Sequence, residues 1–175
     1  MGSPIGPGAP LGRTTAGRSE AAMINVIATI KEAIQDLSAL MSLRHVDVEL
    51  ARSFEEVQVG GPAKALVEAM RNLIWNAIEA SQPGSLVRVA VHVRGDNVVI
   101  DVSDDGSGIS PEALSKIFEP GFTTKPGAAG MGLNIVEWRL GELLGSIVWE
   151  SPLHNRRGTR FTVTLPTIPG TRPTT

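Results

Sequence analysis

The chain of 175 residues contains no cysteine, which excludes disulfides and thiolate metal sites. It holds no apolar run approaching the roughly 18 residues that a bilayer-crossing helix needs, so no membrane contact is expected of it. Blocks of Lys and Arg are absent and the formal charge is −2, so a nucleic-acid partner is not expected. Met1-Gly2-Ser3 is followed by neither a positive patch nor an apolar core, so it does not read as a secretion signal. Phenylalanines number only four, and two of them, Phe118 and Phe122, fall within five residues of each other. What the chain does have is length and apolar content, 42% hydrophobic, enough for one ordinary domain with a real core.

Residues 1–20 are rich in Gly and Pro and are expected to be a disordered leader or an added segment. The folded domain is expected over 21–166, with 167–175 a flexible tail. A helix is predicted from near Ala21, because Ile24, Ile27, Ile30, Ile34, Leu37 and Met41 recur at steps of three and four. That stripe serves equally a helix lying on its own domain and one that dimerises. Val46–Leu50 alternates as a strand does, and Val57 and Val59 suggest a short second strand. Pro62–Ala80 reads as a helix burying Leu66, Met70, Leu73 and Ala77, with Pro62 in its first turn. Trp75 is expected to pack. Val87–Val93 and Val98–Val102 form a hairpin around Arg94-Gly95-Asp96-Asn97. A short helix is predicted over Pro111–Ile117, a mobile lid over Glu119–Gly130, a helix over Met131–Leu144, and strands over Ser146–Trp149 and Thr159–Leu165. Strands and helices do not alternate in a βαβ manner. The expected class is α+β, a two-layer α/β sandwich with a mixed sheet and helices on one face.

Four polar or glycine-rich signals punctuate this order. Asn72 and Asn76 are four apart on one helix face, with Glu68 a turn earlier. Amide oxygens suit a hard cation such as Mg²⁺ when phosphates carry the negative charge. Asp104-Asp105-Gly106-Ser107-Gly108 follows a strand directly. A fixed carboxylate there can accept a hydrogen bond from an adenine amino group, and the glycines let backbone approach the ring. Phe118 and Phe122 pin the ends of a loop carrying Thr123, Thr124 and Lys125, and Lys125 is placed to meet terminal phosphates. Last, Gly127–Gly132 runs into a helix N-terminus, whose free N–H groups and dipole favour phosphate. This is neither a Walker A loop nor a dinucleotide fingerprint. Together the four signals describe a pocket for metal-bound ATP.

In this set and order the chain resembles the catalytic, ATP-binding domain of sensor histidine kinases. These belong to the superfamily that includes gyrase, the 90-kDa heat-shock chaperone and mismatch-repair ATPases. The resemblance spans about Ile24–Pro166. Asn72–Ala77 is similar to the family's N box, Asp104–Ile109 to its G1 box, Phe118–Lys125 to its F box and Gly130–Leu133 to its G2 box. Gly158-Thr159-Arg160-Phe161 resembles its closing strand. The resemblance implies a Bergerat-type fold and the cofactors ATP and Mg²⁺, with Asn76 as principal metal ligand and Asn72 assisting. It also implies Asp104 at the adenine amino group, with Gly106, Gly108, Ile109 and Thr159 around the base. Lys125 would sit at the lid, and Gly130, Met131, Gly132 and Leu133 at the phosphates. A cytoplasmic location is implied, free or as part of a membrane-bound sensor.

Several positions depart from the family's pattern. Gly121 stands where an aromatic is common, which predicts a looser lid. Ala128 and Ala129 replace small Gly/Thr residues, Asn134 replaces Ser, and Glu79 replaces a frequent Lys. No segment reads as a phospho-acceptor helix; His45, His92 and His154 are expected to be structural or surface residues. The acceptor histidine is therefore expected on a separate dimerisation domain, with a response regulator downstream. Glu68 is the one candidate general base in the chain, a weak one. Two other readings stay open: a protein serine kinase of the anti-sigma type, and a scaffold that has lost transfer.

Overall fold

A computed structural model of the chain describes residues 22–52, 54, 56–123, 130–153 and 157–168. The predicted first helix begins instead as a strand, β1 (Met23–Asn25). The Asn25 side chain accepts from the Ala28 N–H at 3.1 Å and so starts α1 (Val26–Asp36) one residue later. The helix is also not continuous. It breaks at Leu37 (φ −96°, ψ 4°), and α2 (Ser38–Arg44) resumes until His45, which caps it in the left-handed region at φ 54°. The apolar stripe is consumed within the domain. Ile24, Ile27, Ile30 and Leu37 are each buried to 2% exposure or less, in the same core as α3.

β2 (Asp47–Arg52) and β3 (Gln58–Gly60) follow, then α3 (Ala63–Ala80), β4 (Leu86–Arg94), β5 (Asn97–Asp104) and the short α4 (Pro111–Leu114). Next come α5 (Gly132–Glu142), β6 (Ser146–Glu150) and β7 (Thr159–Pro166). The main sheet has the order β2-β4-β5-β7-β6. β3 does not join it; it pairs antiparallel with β1 in a separate two-stranded sheet. The expectation of no βαβ unit is corrected here, because β2 and β4 run parallel and α3 crosses between them. The remaining neighbours are antiparallel, so the sheet is mixed.

Burial alternates along β7 and matches a sheet covered on one face: Thr159, Phe161, Val163 and Leu165 face in, and the residues between them are half-exposed. Against that inner face lie α1, α3 and α5, with α3 central and burying Leu66, Ala69, Met70, Leu73, Ile74, Ala77 and Ile78. The result is a two-layer sandwich with its helices on one face. Because α3 touches both α1 and α5, residues on its α5-facing side end up beside the turn that opens α5.

Candidate functional site

A cavity of about 750 Å³ opens between α3, α5, the β5–α4 loop and the start of β7. Asn72, Asn76, Asp104, Gly108, Ile109, Gly130, Met131, Gly132, Leu133 and Thr159 all line it, from four segments far apart in sequence. Its apolar walls include Ala77, Ala113, Ile117, Phe122 and Phe161.

Asp104 is the last residue of β5 and sits opposite Thr159, the first of β7. Both are buried, at 5% and 4% exposure. Burial pushes the Asp104 carboxyl up to about 6, against hydrogen bonds from the backbone N–H groups of Gly106 and Thr159 that pull it down. Gly106 donates to its Oδ1 at 2.8 Å. A side chain at Gly106 would collide with the Ala80 carbonyl at the end of α3, so the loop passes there only as glycine. Gly106 is thus a packing residue that holds Asp104, while Gly108 faces the cavity.

The opposite end of the cavity is built by α3 and α5. A Cβ on Gly132 would stand 3.5 Å from Asn72 Oδ1 and 3.7 Å from Asn76 Nδ2. The first turn of α5, with its free N–H groups, therefore faces both asparagines across a short gap. Asn72 Nδ2 donates to the Glu68 carbonyl at 2.8 Å, which turns the amide oxygen toward that gap. Among the described residues no group of three His, Asp or Glu side chains is placed to hold a metal. The donor set here is amide oxygen plus helix N–H, which suits a cation already carrying phosphate ligands. ATP with Mg²⁺ fits this arrangement, with the carboxylate at one end and the amides and helix terminus at the other.

Glu68 does not line the cavity. Its carboxylate takes Arg139 Nε of α5 at 2.6 Å, so the residue singled out as a base candidate is engaged in an ion pair. Trp75, expected to pack, is instead 43% exposed and lines the cavity. Thr124, Lys125, Gly127, Ala128, Ala129 and His154 lie outside the described residues, and so does the centre of the segment expected to be a mobile lid. The residues on either side of that centre touch: Gly121 N–H donates to the Gly130 carbonyl at 3.1 Å. Gly130 has φ 68°, and any side chain on it would strike Gly121. Phe118 stacks at a tilt on Trp149, 4.9 Å between ring centroids, and Phe122 reaches the cavity.

Ser151 carries a role that sequence reasoning missed. Its hydroxyl accepts from the Ile109 N–H at 2.8 Å and lies 3.1 Å from both the Gly158 carbonyl and Thr159 Oγ1. It ties the glycine loop to the strand opposite Asp104. No local signal marks it, because its partners are 7, 8 and 42 residues away.

Comparison with known proteins gives a consistent result. The model of the histidine kinase-, DNA gyrase B- and HSP90-like ATPases matches residues 61–169. Sensor-like histidine kinase SenX3 of Mycobacterium tuberculosis is 38% identical over 119 residues, 64% of this chain and 28% of that protein. Sensor histidine kinase ZraS of Escherichia coli is 30% identical over 137 residues, 78% of this chain and 30% of that protein. The chain thus spans less than a third of either relative's length. The nucleotide-free catalytic domain of histidine kinase ThkA superposes with a TM-score of 0.75 at 26% identity, covering 87% of this chain and 99% of that one. With the N, G1 and G2 box residues gathered on one cavity and the family model matched from Gly61 onward, the chain belongs to the histidine kinase-, DNA gyrase B- and HSP90-like ATPase family.

Proposed function

We propose that this chain binds Mg·ATP and presents its γ-phosphoryl group to a histidine on a separate dimerisation domain of a two-component sensor kinase, with a response regulator downstream. The observation that carries this reading is the convergence of Asp104, Asn72, Asn76 and the Gly132 helix terminus on one cavity. Asp104 accepts from the adenine amino group, a hydrogen bond that a guanine carbonyl cannot supply. Ile109, Phe161 and Ala77 bury the ring edges. N–H groups from Gly130 to Leu133 hold the phosphates, and Lys125 adds a charge from the lid. Asn76 is the principal Mg²⁺ ligand and Asn72 assists. When bound, the ion neutralises phosphate charge and stabilises the transferring phosphoryl group. The chain's own contribution is position and electrostatics, and the attacking imidazole comes from elsewhere.

Calorimetry with Mg²⁺ and the unhydrolysable analogue AMPPNP tests the site. Wild type should bind, and Asn76→Ala and Asp104→Ala should each lose about tenfold or more in affinity. Unchanged affinity in both variants would remove the assignment. Radiolabelled ATP with an added histidine-bearing helical hairpin tests the transfer. An acid-labile product supports a phosphohistidine, whereas acid-stable label on a serine-bearing partner points to the serine-kinase branch.

A further inference from the structure

The site depends on two helices that must be held in register. α3 carries Asn72 and Asn76; α5 begins at Gly132, opposite them. No side chain caps the N-terminus of α5, so its position is set by contacts along its length. One of these is polar and short. Arg139 Nε donates to Glu68 Oε2 at 2.6 Å, and the side chains are only 19% and 18% exposed. The guanidinium is held further by Glu142 at 2.8 Å and lies over the Trp138 ring, 4.3 Å from its centroid. Glu68 works at both ends of this link, since its carbonyl also orients the Asn72 amide.

The spacing along the two helices gives the link its consequence. Glu68 lies four and eight residues before Asn72 and Asn76, and Arg139 lies seven after Gly132. At about 1.5 Å rise per residue, the ion pair and the site are about 6–12 Å apart on each helix. Two contacts at that separation on antiparallel helices fix sliding as well as distance. We infer that the Glu68–Arg139 pair is an interhelical clamp that sets the phosphate and metal half of the cavity. Glu68 and Arg139 are then positioning residues for Mg²⁺-nucleotide. The inference rests on the nucleotide-binding reading above and changes the part Glu68 plays in it, from base to strut.

Because Asp104 stands on β5, outside this clamp, the two halves of the ligand should respond differently. Glu68→Gln, Arg139→Ala and the double variant are compared with wild type. Affinity for Mg·AMPPNP is measured by calorimetry and affinity for adenosine by ligand-observed NMR. Each single variant should weaken Mg·AMPPNP by about fivefold, as expected of a half-shielded charge pair. The double variant should be no worse than either single one. Adenosine affinity should stay within error. Additive losses, a parallel loss for adenosine, or no loss at all would overturn the clamp. Amide exchange of the nucleotide-free chain gives a readout that needs no ligand: residues 131–135 should exchange faster in both single variants. Unchanged exchange there also overturns the clamp. Failure of wild type to bind Mg·AMPPNP would instead sink the nucleotide reading, with the exchange result still deciding the clamp.

Discussion

Asp104 shows how one residue's environment sets a pH response and, on the proposed reading, a ligand preference. Its carboxyl is raised from 3.8 to about 6, mainly by burial. The folded state therefore holds the proton more tightly than the unfolded one. Stability from this group is fully present below about pH 4 and is lost as pH rises through about 6, a cost on the order of 3 kcal/mol above that. On the proposed reading adenine binding needs the ionised form, so affinity should run the other way. Between about pH 7 and pH 5, Mg·AMPPNP affinity should fall by about tenfold while the nucleotide-free melting temperature gains from this group. Titration calorimetry and thermal melts across that range check it; affinity that is flat while Asp104→Ala still abolishes binding would contradict it. That Asp104 and the asparagine pair would share one cavity was legible in the sequence, because the proposed chemistry calls for those residue types at those spacings. Ser151 was not, since a serine hydroxyl finds its partners only through tertiary contact. Glu68 was misplaced for a related reason: helical periodicity tells which face a residue shares but not which element covers that face.

At the level of elements, the first helix illustrates how a pattern can be read without its partner. The stripe from Ile24 to Met41 was visible, and whether it faced its own domain was not. In the structure Ile27 and Ile30 are buried in the same core as α3. Ile30→Ala should therefore destabilise the chain itself by about 2–5 kcal/mol, seen as a lower urea midpoint, at any protein concentration. A loss that disappears as the chain is diluted would mean the stripe packs between copies. The strand at Met23–Asn25 escaped the sequence because it depends on pairing with β3, remote along the chain. The break at Leu37 escaped because the apolar steps of three and four run across it unchanged, from Ile34 through Leu37 to Met41. The parallel β2–β4 pair escaped too, because β3 and its sheet interrupt what would otherwise read as strand, helix, strand. The β5–α4 loop was legible in type but not in function at each glycine. Gly106→Ala would push the loop off the Ala80 carbonyl and move Asp104 with it. Its expected signature is a fall in both stability and nucleotide affinity, measured by melting and calorimetry. A Gly108→Ala change, at φ 73° and away from Asp104, should cost stability first.

Across the whole molecule the ligand would add a second link between two layers that already share one apolar core. The end of the cavity proposed for adenine is built by β5 and β7, which belong to the sheet. The end proposed for phosphate is built by α3 and α5, which belong to the helical layer. A nucleotide spanning both should brace one layer against the other, so binding and stability are linked. At a free Mg·AMPPNP concentration a hundred times its dissociation constant, the native state gains about 2.7 kcal/mol. For a chain of this size that is a rise of roughly 5–11 °C in melting temperature. Magnesium without nucleotide should give no rise, because no acidic cluster among the described residues waits for it. Nucleotide in excess EDTA should give a smaller rise than nucleotide with magnesium, since the amides of Asn72 and Asn76 then have no ion to ligate. Three melts, with Mg²⁺ alone, AMPPNP with EDTA and AMPPNP with Mg²⁺, decide this. A rise with magnesium alone would mean a metal site of a different kind. Equal rises with and without magnesium would mean that the asparagine pair bears on the phosphates and not on a metal.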